Sequence, residues 1–407
     1  PYFADTGRPA IHSRLMIGLH LLKHVYQLSD ERICEVWVEN PYYQYFCGET
    51  YFQHRFPIQR SSMSHWRKRL GESFFETLIQ ESLRIAFDAK ALKKNQLKRI
   101  VVDTTVQPKA VAFPTDPQLM YKALIALVQL AKQHGIPLRQ TYTRVCKTAL
   151  IKCGRYRHAK QMKRARKQEK FIRVRLGRVI RDIKRKIADK EALKAILAEA
   201  LIKAGTIQKQ QRKSKEKCYS WHAPETECIG KGKAAKPYEF GCKVSVTTHI
   251  NPAPAGHFVL HIGALHGNPF DGHTLKPVLD EYKAQIGIQP ERIYVDKGYR
   301  GHQYEPSNRI FKSGQKRGVT GTIKKELKRR SVVEPIIGHL KSDHHLGRNY
   351  LKGTKGDKLN ALLSGAGYNF RLLLKWFKLL LVLILIGEVK GLYRIKKLWP
   401  LTSRLAA

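Results

Sequence analysis

Three acidic residues stand where an acid needs a reason. Asp103 interrupts the apolar run "KRIVVDTTV" (98–106), Asp296 closes the short run "ERIYVD", and Glu334 sits in "RRSVVEPIIGHLKSDHHLGRNYLKG" (329–353), a segment otherwise crowded with Arg, Lys and His. Each has a local explanation. Asp103 could accept hydrogen bonds from Thr104, Thr105 or backbone amides, since a buried carboxylate must be satisfied. Asp296 could be a turn residue before Gly-rich sequence, and Ser331 to Glu334 matches a capping box. Taken together, carboxylates from two strands and a helix can converge on a pair of hard divalent cations, which prefer oxygen ligands. Such a pair serves phosphoryl transfer: one ion activates a water or alcohol, the other stabilises the leaving oxygen, and the acids fix the ions about 4 Å apart.

Basic residues beside the acids then read as clamps on substrate phosphates. Lys341 lies seven residues after Glu334, about 20° away around a helix, so the two share a face. Arg330 shares that face only if the helix extends back past Pro335, and proline disfavours helical geometry in the residue before it. The Glu334 and Lys341 pairing is therefore the expected one. Arg348 and Lys297 are further candidates for phosphate contact.

The elements that must position these residues follow from periodicity. Residues 98–106 read as a buried strand, and "YEFGCKVSVTTHI" (238–250) and "GHFVLHIGALHG" (256–267) as a hairpin joined by "NPAPA". "DGHTLKPVLDEYKAQIG" predicts a helix capped by Asp271 and stopped by Gly287, followed by the strand that ends at Asp296. This order belongs to a mixed α/β domain. Residues 11–34 predict one helix. "FPIQRSSMSHWRKRLGE" predicts a short recognition-like helix, capped by Ser61 or Ser62 and ended by Gly71, with Arg67, Lys68 and Arg69 as DNA contacts; an ordinary amphipathic helix with a solvated basic face fits these residues equally. Between the first strand and the hairpin, Ile172, Leu176, Val179, Ile180, Ile183 and Ile187 recur at helical spacing among Lys and Arg, which predicts long amphipathic helices in a basic insertion.

Composition points to the partner. The chain has 407 residues and a formal net charge of +44, and by count roughly +20 of that excess falls in residues 118–217. Such a surplus predicts a polyanion, with nucleic acid ahead of an anionic membrane. The apolar stretch "LLLKWFKLLLVLILIG" contains Lys375 and Lys378 and is shorter than the roughly 20 residues a span requires, so a buried helix is expected and no membrane partner. Seven scattered cysteines without a CxxC pair fit a reducing cytoplasm. The chain opens on Pro1, so a preceding segment with more DNA-binding surface is expected. His344 and His345 beside Asp343 read as solvated rather than as a metal site, and Asp271 as a helix cap rather than a fourth ligand. Asn360 and Asn369 read as backbone-ordering or DNA-touching residues. No role follows from sequence for His222 or Glu225.

The segments "VVDTTVQPKAVAFPTD", "YSWHAPETECIGKGKAAKPYEFGCKVSVTT", "HGNPFDGHTL", "VDKGYRGH", "RRSVVEPIIGHLKSDHHLGRNYLKG" and "GDKLNALLSGAGYNFR", in that order, resemble DDE-type bacterial insertion-sequence transposases, in particular insertion-sequence family five. The resemblance runs over nearly the whole chain. It implies an α/β, RNase H-like catalytic core with Asp103, Asp296 and Glu334 as the metal-binding triad, and Mg²⁺ as cofactor with Mn²⁺ as a substitute. It also implies inverted-repeat DNA ends and target DNA as substrates, and a homo-oligomer assembled on DNA at the nucleoid. The fuller Tyr-x2-Arg-x3-Glu-x6-Lys pattern of related families is met by Arg330, Glu334 and Lys341, with Leu327 at the Tyr position. The organisation implied is a helical N-terminal DNA-binding domain (1–95), a core from 96–117 and 218–370, the basic helical insertion (118–217) and an apolar and basic helical tail (371–407). Two rival readings are an inactive DNA-binding transposase remnant and an RNase H-like nuclease.

Overall fold

The apolar run around Asp103 extends as β1 (Arg99–Pro108), with Ile100, Val101 and Val102 fully buried. In this computed structural model residues 11–211, 214, 216–230, 237–305 and 309–402 are described, with side chains to 386. The chain forms two units, one of residues 1–108 and 242–407, the other of residues 109–241.

In the first unit the hairpin is present as β3 (Tyr238–His249), whose opening residues belong to the other unit, and β4 (Val259–Leu265), paired antiparallel. β5 (Arg292–Val295) and β6 (Ile310–Lys312) complete a sheet in the order β4, β3, β1, β5, β6. The amide of Ile250, just past β3, donates to the Arg99 carbonyl at the start of β1, so these two strands run antiparallel. β1 and β5 are parallel, as are β5 and β6. The β1 and β5 register pairs Ile100 with Ile293 and Val101 with Tyr294. Continued by two residues, it sets Asp103 opposite Asp296 on strands roughly 5 Å apart.

Helices α1 (Ser13–Val25), α4 (Ser61–Asp88), α9 (Asp271–Ile286), α11 (Val333–Asp343) and α12 (Gly353–Thr402) share one apolar core with this sheet. Residues such as Leu19, Phe75, Ile262, Leu279, Leu340 and Leu363 meet in it. Asn369 of α12 links the layers, since its side chain accepts from the Val259 amide and donates to the Val259 carbonyl and to Ser82. Asn360 donates to Gln107 and to the His345 carbonyl, so both asparagines order backbone.

Several expectations are corrected. Residues 11–34 form two helices, because Gln27 takes a left-handed φ of 54° and Ser29 caps a new helix, α2 (Asp30–Glu39), by accepting from the Arg32 amide. Gly71 does end its helical segment, at a non-helical φ of 75° and ψ of −172°, but a second segment of α4 starts directly beyond this kink and runs to Asp88. Neither Ser61 nor Ser62 caps α4, which has no side-chain cap bond. α9 also lacks one, so Asp271 is its first residue rather than its cap, whereas Gly287 does terminate it in the left-handed conformation. His344 is fully buried and hydrogen-bonded to the His24 carbonyl, and His345 is half-buried and hydrogen-bonded to the Leu28 carbonyl, so neither is a free surface side chain. Burial pushes the His344 imidazole down to about 4. α12 runs without interruption through residue 371, and its apolar side chains from Leu374 to Ile386 are largely exposed. No helix among the described residues is long and apolar enough to cross a membrane.

The second unit is helical. α5 (Asp116–Gln133), α6 (Thr143–His158), α7 (Met162–Lys186) and α8 (Glu191–Lys209) enclose a core that contains all six aliphatic residues predicted from Ile172 to Ile187. A short strand, β2 (Glu227–Gly230), pairs antiparallel with residues 238–241. Glu225 makes a shielded ion pair with Lys109 at 2.7 Å.

Candidate active site

The site begins with how the three acids are delivered. Asp103 is mid-strand in β1, and Asp296 directly follows β5 and opens a turn of 3-10 helix, Lys297–Tyr299. Glu334 lies in the first turn of α11, and the capping box is not formed, because that helix start has no side-chain cap bond. The preceding helix α10 (Gly321–Arg329) passes through a 3-10 turn, Arg330–Val332, straight into α11. Pro335 falls in the first turn of α11, where its missing N–H costs nothing, and Val332 and Val333 before it keep right-handed helical angles.

Arg330 therefore does share the face of Glu334. Its guanidinium stands amid all three acids: Nη1 is 3.7 Å from Asp103 Oδ2, and Nη2 is 3.7 Å from Asp296 Oδ1 and 3.6 Å from Glu334 Oε1. Two oxygens that close to one nitrogen are separated by at most about twice that distance, within reach of a shared cation pair. These contacts are longer than the 2.7–2.9 Å of charge-assisted hydrogen bonds, so they are Coulombic. Burial pushes the Asp103 carboxyl up to about 6, with Asp296 and Asp271 adding to the rise, against the Thr104 amide and Arg330. Oxygen-only donors and uncompensated negative charge fit a hard divalent ion.

Asp271, read from sequence as a helix cap, adjoins this cluster and acts on the Asp103 carboxyl. Its Oδ1 accepts from Thr104 Oγ1 at 2.9 Å and from Lys243 Nζ at 3.1 Å, while Lys243 also donates to the Pro269 carbonyl. Lys243 as the sole cation inside the apolar run "GCKVSV" was the available signal. The turn after Asp296 closes directly on the head of α9. A Cβ on Gly298 would lie 3.1 Å from Asp271 Oδ2, and one on Gly272 would lie 2.5 Å from the Arg300 carbonyl oxygen. Gly272 is thus required for this close approach to the Arg300 backbone, and a side chain at Gly298 would press on the Asp271 carboxylate.

Behind Arg330, Glu326 of α10 is buried and accepts from Arg99 at 3.0 Å, Arg292 at 2.9 Å and the Tyr294 hydroxyl. Burial opposes its charge, yet the Tyr294 and Arg292 hydrogen bonds hold its carboxyl below the ordinary value. This hub ties α10 to β1 and β5. Leu327, at the Tyr position, packs against the core.

The expected phosphate contacts divide. Lys341 and Arg348 line a cleft of about 770 Å³ with Lys23 and Tyr350, and Arg348 lies over the Tyr350 ring at 5.4 Å. Lys341 is two helical turns, about 10 Å along the axis, from Glu334. Lys297 is exposed beside Asp296 and lines a basic pocket with Arg300, His302 and Lys312. Lys68 and Arg69 are exposed on α4. Arg67 is not available to DNA: it is 4% exposed and grips Asp30 through Nη1 at 3.0 Å and Nη2 at 2.5 Å. In the second unit Arg139, Arg178, Arg181, Lys184 and Arg185 surround a cavity of about 530 Å³ with Asp182 the one acid in its lining.

Residues 1–69 match a family described as "Transposase domain (DUF772)". A Rhizobium meliloti protein described as "Uncharacterized protein ORF8 in nfe locus" is 52% identical over 160 residues, which is 39% of this chain and 77% of that protein. No solved structure matches.

Proposed function

The chain belongs to the family of the Rhizobium meliloti protein and carries a transposase domain, and from that premise we propose that it is a DDE transposase of insertion-sequence family five type. In this reading it hydrolyses DNA strands at inverted-repeat ends, and the freed 3′-hydroxyl, losing its proton, attacks a target phosphodiester, forming a new P–O bond as the target's own 3′-oxygen leaves. The observation that carries the proposal is the convergence of Asp103, Asp296 and Glu334 on one guanidinium, each within 3.7 Å. The strand order β4, β3, β1, β5, β6, antiparallel then parallel, supports an RNase H-like core.

Asp103, Asp296 and Glu334 would hold Mg²⁺ or Mn²⁺, with Asp271 adjoining. Bound there, two such ions supply an activated nucleophile and a stabilised leaving oxygen. The chain's own residues do the rest. Lys243 and Thr104 fix Asp271, and Glu326 anchors the helix that presents Arg330. Lys297, Lys341 and Arg348 offer positive charge to phosphates on either side of the acids. The catalytic contribution is positioning and charge neutralisation. The basic cavity of the second unit, together with Lys68 and Arg69, supports DNA as partner and several phosphate contacts, and an assembly of copies on DNA belongs to the same proposal.

The test incubates the full chain and Mg²⁺ with a plasmid bearing the candidate element ends, beside Asp296→Ala. End-specific nicking lost in the variant is expected. Binding without cleavage by either form would point to a DNA-binding remnant, and cleavage indifferent to the ends to a nuclease; either result overturns the proposal.

A further inference from the structure

Lys243 reaches Asp271, and its neighbour Cys242 faces the other side of β3, because successive side chains on a strand alternate. Cys242 is fully buried there, beside His266 from the end of the hairpin and Asp357 from the first turns of α12, itself 2% exposed. One ligand atom from each, a thiol sulfur, an imidazole nitrogen and a carboxylate oxygen, lies within 4.8 Å of the other two. The sulfur is 3.6 Å from Nδ1 of His266. With Zn–S near 2.3 Å and Zn–N near 2.0–2.1 Å, two ligands of one tetrahedral zinc are separated by about 3.5 Å. The cysteine and histidine already stand at that spacing, and the carboxylate, within 4.8 Å of both, needs at most about 1.4 Å of contraction.

We propose that Cys242, His266 and Asp357 form a binding site for a borderline divalent cation of the zinc class. Thiolate, imidazole and carboxylate together suit Zn²⁺ and disfavour Mg²⁺, which takes oxygen. The carboxylate is supported as ligating carboxylates are: Asn349 donates to Asp357 Oδ1 at 2.7 Å, and Gln107, itself held by Asn360, donates to the Asp357 carbonyl. The thiol now donates to the Lys243 and Leu265 carbonyls. On metal binding that S–H proton leaves to solvent and the sulfur coordinates as thiolate. Three ligands leave a fourth position for water or another donor. The site's role is structural: it clamps β3, the end of the hairpin and α12 together, and so fixes the 266–271 segment that leads to Asp271.

The proposal is independent of whether the acids cleave DNA. Full-length protein is stripped with EDTA, dialysed against zinc chloride and assayed for bound metal by mass spectrometry. Cobalt chloride replaces zinc in a parallel sample, read by the thiolate-to-cobalt charge-transfer band that an oxygen-only site cannot produce. One equivalent of zinc and a thiolate band are expected. Cys242→Ser abolishes the band, Asp357→Asn weakens zinc retention by about tenfold or more, and Asp296→Ala leaves the band intact. Circular dichroism in EDTA establishes that the near-isosteric variants fold, and if one does not, the wild-type stoichiometry and cobalt spectrum decide. Absence of retained zinc, absence of a thiolate band, or a band that survives Cys242→Ser and so arises from one of the other six cysteines overturns the site.

Discussion

Arg330 occupies the space among the three acids that the proposed reading gives to metal ions, and removing it gives a sharp test. Its guanidinium is 14% exposed, Asp103 20%, Asp296 51% and Glu334 63%. The pair with Asp103 is the shielded one. At 3.7 Å and an effective dielectric of about 20, its gross attraction is about 4 kcal/mol, much of it offset by desolvation. The two exposed pairs add about 0.5 kcal/mol each. Arg330→Gln is therefore expected to cost about 2 kcal/mol in EDTA, a fall in Tm of about 5 °C for a unit of this size. The same competition reverses with metal: once the guanidinium no longer satisfies the acids, about 1.4 kcal/mol of released competition gives about tenfold tighter Mn²⁺ binding. Thermal melts across a MgCl₂ series and electron paramagnetic titration of free Mn²⁺ measure both. A variant that melts like wild type in EDTA and binds Mn²⁺ no more tightly refutes the idea that Arg330 stands in for the ion.

Glu326→Ala strands Arg99, Arg292 and Tyr294 at a buried hub and is expected to lower unfolding free energy by about 3 kcal/mol in urea titration. Asp30 is held well below the ordinary carboxylate range: burial works against its charge, but Arg67 and Lys23 outweigh it. With the folded-state pKa below the unfolded one, this stabilisation is complete above the unfolded value and drains as pH falls toward the folded one. Acid-side melts should therefore steepen for wild type and flatten for Asp30→Asn. Gly272→Ala drives a methyl to 2.5 Å from the Arg300 carbonyl, with an expected cost of about 1–3 kcal/mol, whereas Gly338→Ala, in open space within α11, should gain up to about 1 kcal/mol; chemical denaturation separates the two.

How much of this was legible differs residue by residue. The nearness of Asp103 and Asp296 could be anticipated because an acid in a β-branched strand is costly unless satisfied, and periodicity showed the strands around both. The core of the insertion could be read because Ile172 to Ile187 repeat at helical spacing. Arg67 could not: nothing local separates it from Lys68 and Arg69, and its burial depends on Asp30, 37 residues away. Gly71 could be read as a stop because glycine takes the positive φ that breaks a helix; the second segment, which packs Phe75, Leu78 and Ile79 into the core, could not. Arg330 was discounted on the local preference before proline, which constrains Glu334 but allows a 3-10 turn to bring Arg330 round. Histidines 344 and 345 were misjudged because their acceptors are carbonyls about 320 residues away in the chain.

The core that α1 and α4 share with β4 and α12 has a geometric consequence. Asn369 joins Ser82 of α4 to Val259 of β4, and Lys358 of α12 bonds Glu72 at 2.9 Å. No flexible tether separates the second half of α4 from the sheet that carries the acids. In the proposed reading, duplex contacted by Lys68 and Arg69, which directly precede that half of α4 beside the buried Trp66 and Leu70, would be held at a constant offset from Asp103 and Asp296, as a gauge block holds a workpiece from a blade. In that reading the number of base pairs between a bound sequence and a severed bond would be a property of the fold, and insertion of a single pair between them would turn one against the other by about a tenth of a helical turn, roughly 35°.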